Sequence, residues 1–599
     1  MTDLSQLPEP ALAHATGPVR AMRAFSGVSA RARAVAFAAA LVALSAFAFG
    51  WVWCVGHRGL FVLDESIIFD GAWRIFQGQV PYRDFVMPFG PITFWLQALL
   101  FHLLGVDFST LVFCAGLLSV AATLLVVRLL WLLTSRSVAY SLLGGLLTAV
   151  WYQAPFGIPW LEQTAFLFDL LALLLVVEGR LGARYAAVCF FAGGIASVLA
   201  MLSKQNAGVL FVPVCLGCLC LPWGGQARAT LRAVAAYAAG GSFATLVFCA
   251  WLVLCSNPRV FSHYFFSVSA SVGWQRVEYW KLLGTLTFQP LLGSSIALFI
   301  ACSLIGAAAL WFAQRDRSFG TRAALSTALS GWLCLTLPQF QSFFQLTTNN
   351  DAPNNNAFVG VCAATCACLL GRAARGAWSL RFRGERSALE FALPGRALRI
   401  ALVGLVSVAL YSVGEGLSIA ATRNVQEFAG ASFDEHLNVP RARRLLWGEP
   451  TRITPQFCAG LGETCKVSAE DADRERPFEL LHKRDFEAIA AELASRQKNF
   501  FVFPDTTLLY GLLGRPSPQP LLYFHPGQSY LLADQAELDR QIVAALQKNA
   551  VELIVLERAS FMGTHKLLTG FPALKRWLDQ DFRLAAEHGN YRLFERARR

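Results

Sequence analysis

Four carboxylates, Asp64, Glu65, Asp70 and Asp84, share the stretch "FVLDESIIFDGAWRIFQGQVPYRDFVMPFGP" at residues 61–91, between two apolar runs. A carboxylate beside a membrane can take a proton from an attacking group; burial strengthens it as a base and a nearby cation weakens it again. Cations can in turn steady a leaving anion. Those on offer are Arg83 beside Asp84, Lys204 in "MLSKQNAG", and Arg259, His263, Arg276 and Lys281 within residues 256–289. Glu162 in "YQAPFGIPWLEQ" and Asp169 two turns beyond it are further acids. "QLTTNNDAPNNNAF", residues 345–358, includes Asn350 and Asp351 among amides able to hydrogen-bond hydroxyl groups.

Each of these groups also has a plain structural use. Asp64 suits a helix N-cap, and Glu162 matches the dipole at a helix start. Lys204 can snorkel to a membrane interface, Arg83 and Asp84 can form a solvated pair, and Asn and Pro dominate ordinary turns. The first-loop acids call for more than a cap, because "GQVPYRDF" adds a turn and "MPFGP" adds two prolines that fix the start of the next apolar helix. An acid such as Asp169 within a membrane span is costly enough to suggest function by default, with pairing to a neighbouring helix as the alternative.

The elements that must position these groups are membrane helices. The chain has 599 residues, 55% of them apolar and only 15% charged, with a mean hydropathy of +0.47. That excludes an ordinary water-soluble protein and a single-span anchor. Spanning helices of roughly 17 to 25 apolar residues are expected at 33–55, 109–131, 137–153, 163–178, 184–203, 207–223, 231–255, 290–313, 323–340, 357–371 and 398–421. The stretch 91–105 is short and bounded by Pro91 and Gly105, and reads as an interfacial or re-entrant helix.

Charge sets the orientation. With 91–105 not spanning, the loops on the side of the N-terminus carry twenty arginines and the opposite loops before residue 422 only seven basic residues. The positive-inside rule then puts the N-terminal tail, residues 1–32, in the cytoplasm and the first loop, 56–108, outside. The net charge of +12 is therefore orientation, and implies no nucleic-acid partner. The polar first 30 residues precede an apolar run with no convincing cleavage site, which reads as a retained signal anchor. Thirteen of the fifteen cysteines lie in apolar runs, where thiols act as small hydrophobes, and "VCLGCLC" lacks the His or acid that a metal site would need.

Past residue 422 the composition becomes that of a soluble α/β domain. "KRDFEAIAAELASRQ" and "QAELDRQIVAALQKN" have helical periodicity, and "FFVF", "VELIVLE" and "YRLFE" are strand-like. Residues 422–599 are expected on the extracytoplasmic side, where Cys458 and Cys465 are close enough to form a disulfide; reduced neighbours at this spacing also occur. The whole reads as a polytopic α-helical membrane protein with about eleven spans and an extracytoplasmic α/β domain, seated in the inner (plasma) membrane.

The first loop, "DES…GAWRIFQGQVPYRDFVMPFGPITFWLQALLFHLLG", resembles that of the GT-C superfamily of membrane glycosyltransferases, which includes protein O-mannosyltransferases and lipid A aminoarabinose transferases. The shared features are an acid pair after the first span and a "G..PYrDf….GP" pattern leading into a juxtamembrane helix. "FGIPWLEQ", "LSKQNAG" and the external C-terminal domain extend the likeness more weakly. It implies a GT-C-like fold, a polyprenyl-phosphate-linked sugar as donor, and an acid of the first-loop pair as general base at the outer face. The acceptor is a glycan, lipid or protein. One departure is Met87 in "VMPFGP", where aminoarabinose transferases commonly carry a charged residue, so an identical donor is not implied.

On this reading Asp64 is the base and Glu65 its orienting partner, with reversed roles open. Adjacent helical residues diverge by about 100°, so the two acids do not both face one substrate. Arg83, Asp84, Glu162, Lys204, Arg259, His263, Arg276, Asn350 and Asp351 are the candidate substrate-binding residues. Adjacent carboxylates could hold a divalent cation, but no full ligand set is visible. The rival classes are a lipid or polysaccharide transporter or flippase, a non-catalytic assembly protein, and a polymerase or ligase. Internal repeats and mid-membrane broken helices would mark a transporter, and arginine-rich outer loops a polymerase; neither is evident.

Overall fold

Long runs of Ala, Leu, Val and Phe leave the backbone no favourable option in lipid but the helix, which satisfies its own hydrogen bonds. The computed structural model describes residues 30–60, 62–153, 157–221, 227–276, 296–315, 322–348, 357–374, 395–422, 433–447, 451–452, 479–481, 483–558, 560 and 563–597. Its apolar helices are α1 (Ala30–Gly56), α4 (Phe108–Leu133), α5 (Val138–Trp151), α6 (Leu161–Arg180), α7 (Ala186–Met201), α8 (Gln205–Cys220) and α9 (Ala227–Cys255), followed by α12 (Ile296–Arg315), α13 (Arg322–Thr348), α14 (Val359–Ala374) and α15 (Gly395–Thr422). A helix thus lies at every segment anticipated as a span. Among the described residues three, Arg31–Gly56, Phe108–Leu133 and Ala227–Cys255, are long and apolar enough to cross a membrane by length and composition.

The first loop holds two helices, α2 (Val62–Phe76) and α3 (Ile92–Leu104). At 13 residues α3 is only about 20 Å long, shorter than a hydrocarbon core of roughly 30 Å. Asp107, another acid of this loop, is the N-cap of α4: its carboxylate accepts the Ser109 N–H at 2.7 Å. After α9 come α10 (Pro258–Ser262), a π-helical turn (His263–Val268) and α11 (Ser269–Arg276).

In the C-terminal region β1 (Thr451–Arg452) pairs with β2 (Glu479–Leu481), and a four-stranded sheet has the order β3-β4-β6-β5. Its strands are β3 (Phe500–Phe503), β4 (Leu553–Glu557), β5 (Phe582–His588) and β6 (Tyr591–Arg596). β3 runs parallel to β4 with Val502 opposite Val555, and β4 and β5 are antiparallel to β6. The connecting helices are α16 (Lys483–Arg496), α17 (Leu509–Leu513), α18 (Gln535–Lys548), α19 (Thr564–Thr569) and α20 (Pro572–Asp581).

One apolar core joins the first loop to this sheet. Leu63, Phe69, Trp73 and Phe94 share a buried cluster with Leu202, Trp447, Phe486, Tyr510, Leu553 and Leu593. Backbone pairing reinforces it: Val86 N–H donates to Pro520 O at 2.8 Å, and Leu522 N–H to Val86 O at 3.3 Å. The first loop and the C-terminal region therefore lie at the same end of the helical bundle. At the other end Arg372 donates to Leu133 O at 3.0 Å and to Ser135 Oγ at 2.8 Å, and Arg180 donates to Leu221 O. These arginines belong to the loops expected, from the charge pattern, in the cytoplasm.

Candidate active site

Asp64 and Glu65 occupy the first turn of α2, where acids suit the helix dipole. Their surroundings differ as one helical step requires: Glu65 is fully buried, whereas Asp64 keeps partial exposure. One turn on, Asp70 and Arg74 form a wholly buried ion pair, Arg74 Nε to Asp70 Oδ2 at 2.9 Å. Both partners reach into the C-terminal region. Ser517 Oγ donates to the other Asp70 oxygen, and Arg74 Nη1 donates to Gln519 O at 2.6 Å. Burial raises the Asp70 carboxyl above its ordinary range, against the lowering pull of Arg74 and of the Ser517 hydroxyl. Asp70 is thus an anchor for α2. The i,i+4 spacing of Asp70 and Arg74 is the sequence signal that could have identified it.

Arg83 and Asp84 pair with each other at 2.8 Å in the open, and Asp84 also accepts the Val80 N–H at 2.7 Å. Partial burial raises the Asp84 carboxyl, but the bonds from Arg83 and Val80 outweigh it and hold the group below its usual value. The pair braces the turn that leads into "MPFGP".

That proline turn docks on the α7–α8 hairpin. Gly90 meets the Leu202 carbonyl so closely that a Cβ there would overlap it, which explains why a glycine stands between Phe89 and Pro91. Gln205 Nε2 lies 2.7 Å from Pro88 O, 3.0 Å from Phe265 O and 2.6 Å from Ser269 Oγ and shares its two N–H groups among them, tying the turn to the hairpin and to the π-helical segment. The Tyr82 hydroxyl donates to Phe89 O, and the Phe89 ring stacks on Tyr523 at 6.0 Å.

The docking brings two predicted residues together. Lys204 Nζ lies 3.2 Å from Glu162 Oε1 and 4.7 Å from the centre of the Phe89 ring. Glu162 is buried, while the lysine side chain keeps 16% of its surface open. The angles make this an ion pair rather than a directed hydrogen bond. An ammonium held by a carboxylate and an aromatic face, yet still reachable, can meet an anionic group. Phe89 and Tyr523 had no sequence signal, because their contact joins segments more than four hundred residues apart; Gln205 stands in the "LSKQNAG" motif, but its partners lie 60 to 117 residues away.

The remaining candidates are dispersed. Arg259 is exposed on α10, and His263 Nε2 lies 2.6 Å from Asp534 Oδ2, linking the outer loop to the C-terminal region. Arg276 ends α11, and the described residues give only its backbone. Asn350, Asp351, Lys281, Cys458 and Cys465 lie outside the described residues. Asp169 is fully buried within α6, with no hydrogen-bond partner among the described residues. No group of three or more His, Cys, Asp and Glu residues suited to a metal ion occurs among the described residues.

No protein-family model matches the sequence, and no curated protein matches it. Solved structures do. A crystal structure of ArnT from Cupriavidus metallidurans bound to undecaprenyl phosphate shares 13% identity, covers 94% of this chain and 98% of that one, and gives a TM-score of 0.41. The apo form of ArnT gives 0.43 at 13% identity, with 95% and 98% covered. A mutant of the arabinofuranosyltransferase AftD from Mycobacteria gives 0.43 at 14% identity over 95% of this chain, which spans 42% of AftD.

Proposed function

We propose that the protein is an integral membrane glycosyltransferase that moves a sugar from a polyprenyl-phosphate donor to an acceptor on the extracytoplasmic face. The observation that carries the reading is the convergence of the acid-bearing first loop, through its proline turn, on the partly exposed Lys204–Glu162 pair. A base and a phosphate-binding cation are the two groups such a transfer needs at one membrane face. The topology is eleven crossings with the N-terminus in the cytoplasm, and the 422–599 domain lies outside with the first loop. The packing of these two regions against each other supports their common side.

Asp64 acts as base. The acceptor's nucleophilic atom attacks the anomeric carbon and its proton passes to the Asp64 carboxylate, as the carbon–oxygen bond to the carrier phosphate breaks. The phosphate leaves on its lipid with the bonding electron pair, and the Lys204 ammonium balances its charge. Glu162 orients Lys204, and Glu65 orients the α2 turn from its buried side. The exposure of Asp64 beside the burial of Glu65 favours this division of roles over the reverse.

The test is purified protein incubated with a panel of labelled polyprenyl-phosphate sugars, following release of the carrier phosphate. Turnover with one of them that is abolished by Asp64→Asn, with membrane insertion and carrier binding intact, supports the reading. Full activity in that variant removes the base assignment, and lipid movement without bond cleavage points to a flippase instead.

A further inference from the structure

The carboxyl of Glu557 is enclosed at the end of β4 and gathers three donors on one oxygen. Its Oε1 accepts the Asp505 N–H at 2.9 Å, the Thr506 N–H at 2.7 Å and the Thr506 hydroxyl at 2.8 Å. Thr506 Oγ1 also stands 3.3 Å from the Tyr591 hydroxyl of β6. The held segment begins just past β3 and turns directly into α17. Its next residues carry it to the first loop: the Leu508 N–H donates to Ser66 Oγ at 3.3 Å. Ser66 follows Glu65 in the acid-bearing turn of α2. Behind this contact α17 lies close against α2, for a Cβ at Gly511 would meet Phe69 Cε1 at 2.5 Å and Trp73 Cγ at 3.1 Å. A continuous set of short contacts thus runs from the sheet to the turn that presents the acids.

We propose that Glu557 is a positioning residue for glycosyl transfer: by fixing residues 505–508 it sets, through Leu508 and Ser66, the orientation of the α2 turn that carries Asp64 and Glu65. The inference rests on the reading of Asp64 as the base. Glu557 touches no substrate, so its removal acts on the geometry of attack and leaves donor capture to Lys204. Small displacements of a reacting group cost about a hundredfold in rate.

The full-length protein in lipid nanodiscs is assayed for turnover with the polyprenyl-phosphate sugar panel, and carrier affinity is read with undecaprenyl phosphate. Glu557→Ala is expected to lower kcat by roughly ten- to a hundredfold, with KM for the donor and carrier affinity unchanged. Glu557→Gln keeps an acceptor oxygen in the same position and recovers most of the rate. Ser66→Ala lowers kcat in the same way and adds little to Glu557→Ala, because residues acting in one chain of contacts are not additive. If Glu557→Ala does not fold, Ser66→Ala and Glu557→Gln carry the test. Wild-type kcat in Ser66→Ala, or fully additive losses, overturns the inference. Where Asp64→Asn is inactive and those results hold, only the positioning role fails; activity in both Asp64→Asn and Glu65→Gln removes the base reading and this inference with it.

Discussion

Lys204, in the turn between α7 and α8, meets Glu162 of α6 at 3.2 Å, with the Phe89 ring of the first loop 4.7 Å from the ammonium. The carboxylate is buried and the lysine is not fully so, which makes the lysine the member available to an incoming anion. Replacing it with alanine leaves Glu162 as an unpaired buried acid and removes the cation. A charge-assisted contact is worth about 1.5–3 kcal/mol, so Lys204→Ala should raise KM for the donor by roughly ten- to a hundredfold. The kcat should change less. Steady-state kinetics at varied donor concentration measures this, and an unchanged KM would reduce Lys204 to a snorkelling residue.

The Asp70–Arg74 pair predicts a stability effect distinct from catalysis. Both side chains are enclosed, and each also bonds to the C-terminal region. Asp70→Asn strips the charge that compensates Arg74, and breaking one side of a buried pair costs about 3–5 kcal/mol. The double replacement Asp70→Leu with Arg74→Met removes both charges and should restore much of the loss. Thermal unfolding in detergent compares the three proteins. Equal unfolding temperatures for the wild type and Asp70→Asn would show that the pair contributes nothing net.

Gly90 tests the docking of the proline turn. A methyl group there overlaps the Leu202 carbonyl, and backbone on both sides leaves little room to relax. Gly90→Ala should push the turn off the α7–α8 hairpin and move Phe89 away from Lys204. Overpacking of this kind costs typically about 1–3 kcal/mol, and here it should also raise KM for the donor. Gly78→Ala is the control, since a Cβ at that turn meets nothing within 4 Å, although its φ of +86° adds backbone strain. If both variants lose stability equally with KM unmoved, the turn has no part in binding.

How much of this was legible before folding depends on the range of the interaction. Helices at the apolar segments follow from composition, since lipid leaves no alternative conformation. The Asp70–Arg74 pair was available from i,i+4 spacing, but Ser517 and Gln519, which complete its shell, are more than 440 residues away. Glu162 and Lys204 could be named as an acid and a cation at neighbouring helix ends; that they pair depends on how α6 packs against the α7–α8 hairpin. Arg83 and Asp84 read in sequence as candidate binding residues or as a solvated pair, and their mutual bond and exposure became visible only in the fold. Strand β5 has an exposed face and little apolar character, so its sequence carried no pairing signal; its place comes from the β6 edge it covers.

Glu557 makes a prediction about pH. Burial is the largest influence on its carboxyl and pushes it up to about 7 despite the lowering effect of the Thr506 and Asp505 donors. The ordinary value is 4.5, so the folded protein holds this proton over a range where the unfolded chain has released it. Its contribution to stability is complete below about pH 4.5 and is lost as pH rises through about 7, at about 1.4 kcal/mol per unit of separation or roughly 3 kcal/mol in all. Glu557→Gln cannot ionise and lacks this term. The unfolding temperature of the wild type should therefore fall relative to Glu557→Gln between about pH 4.5 and 7. Asp505 on the held segment, Asp485 of α16 and Tyr591 of β6 are present in both proteins, so the difference between the two curves reports the ionisation of residue 557 together with the response of these neighbours to it. A gap that stays constant across that range would mean that Glu557 is already ionised in the folded protein at pH 5, held so by its three donors.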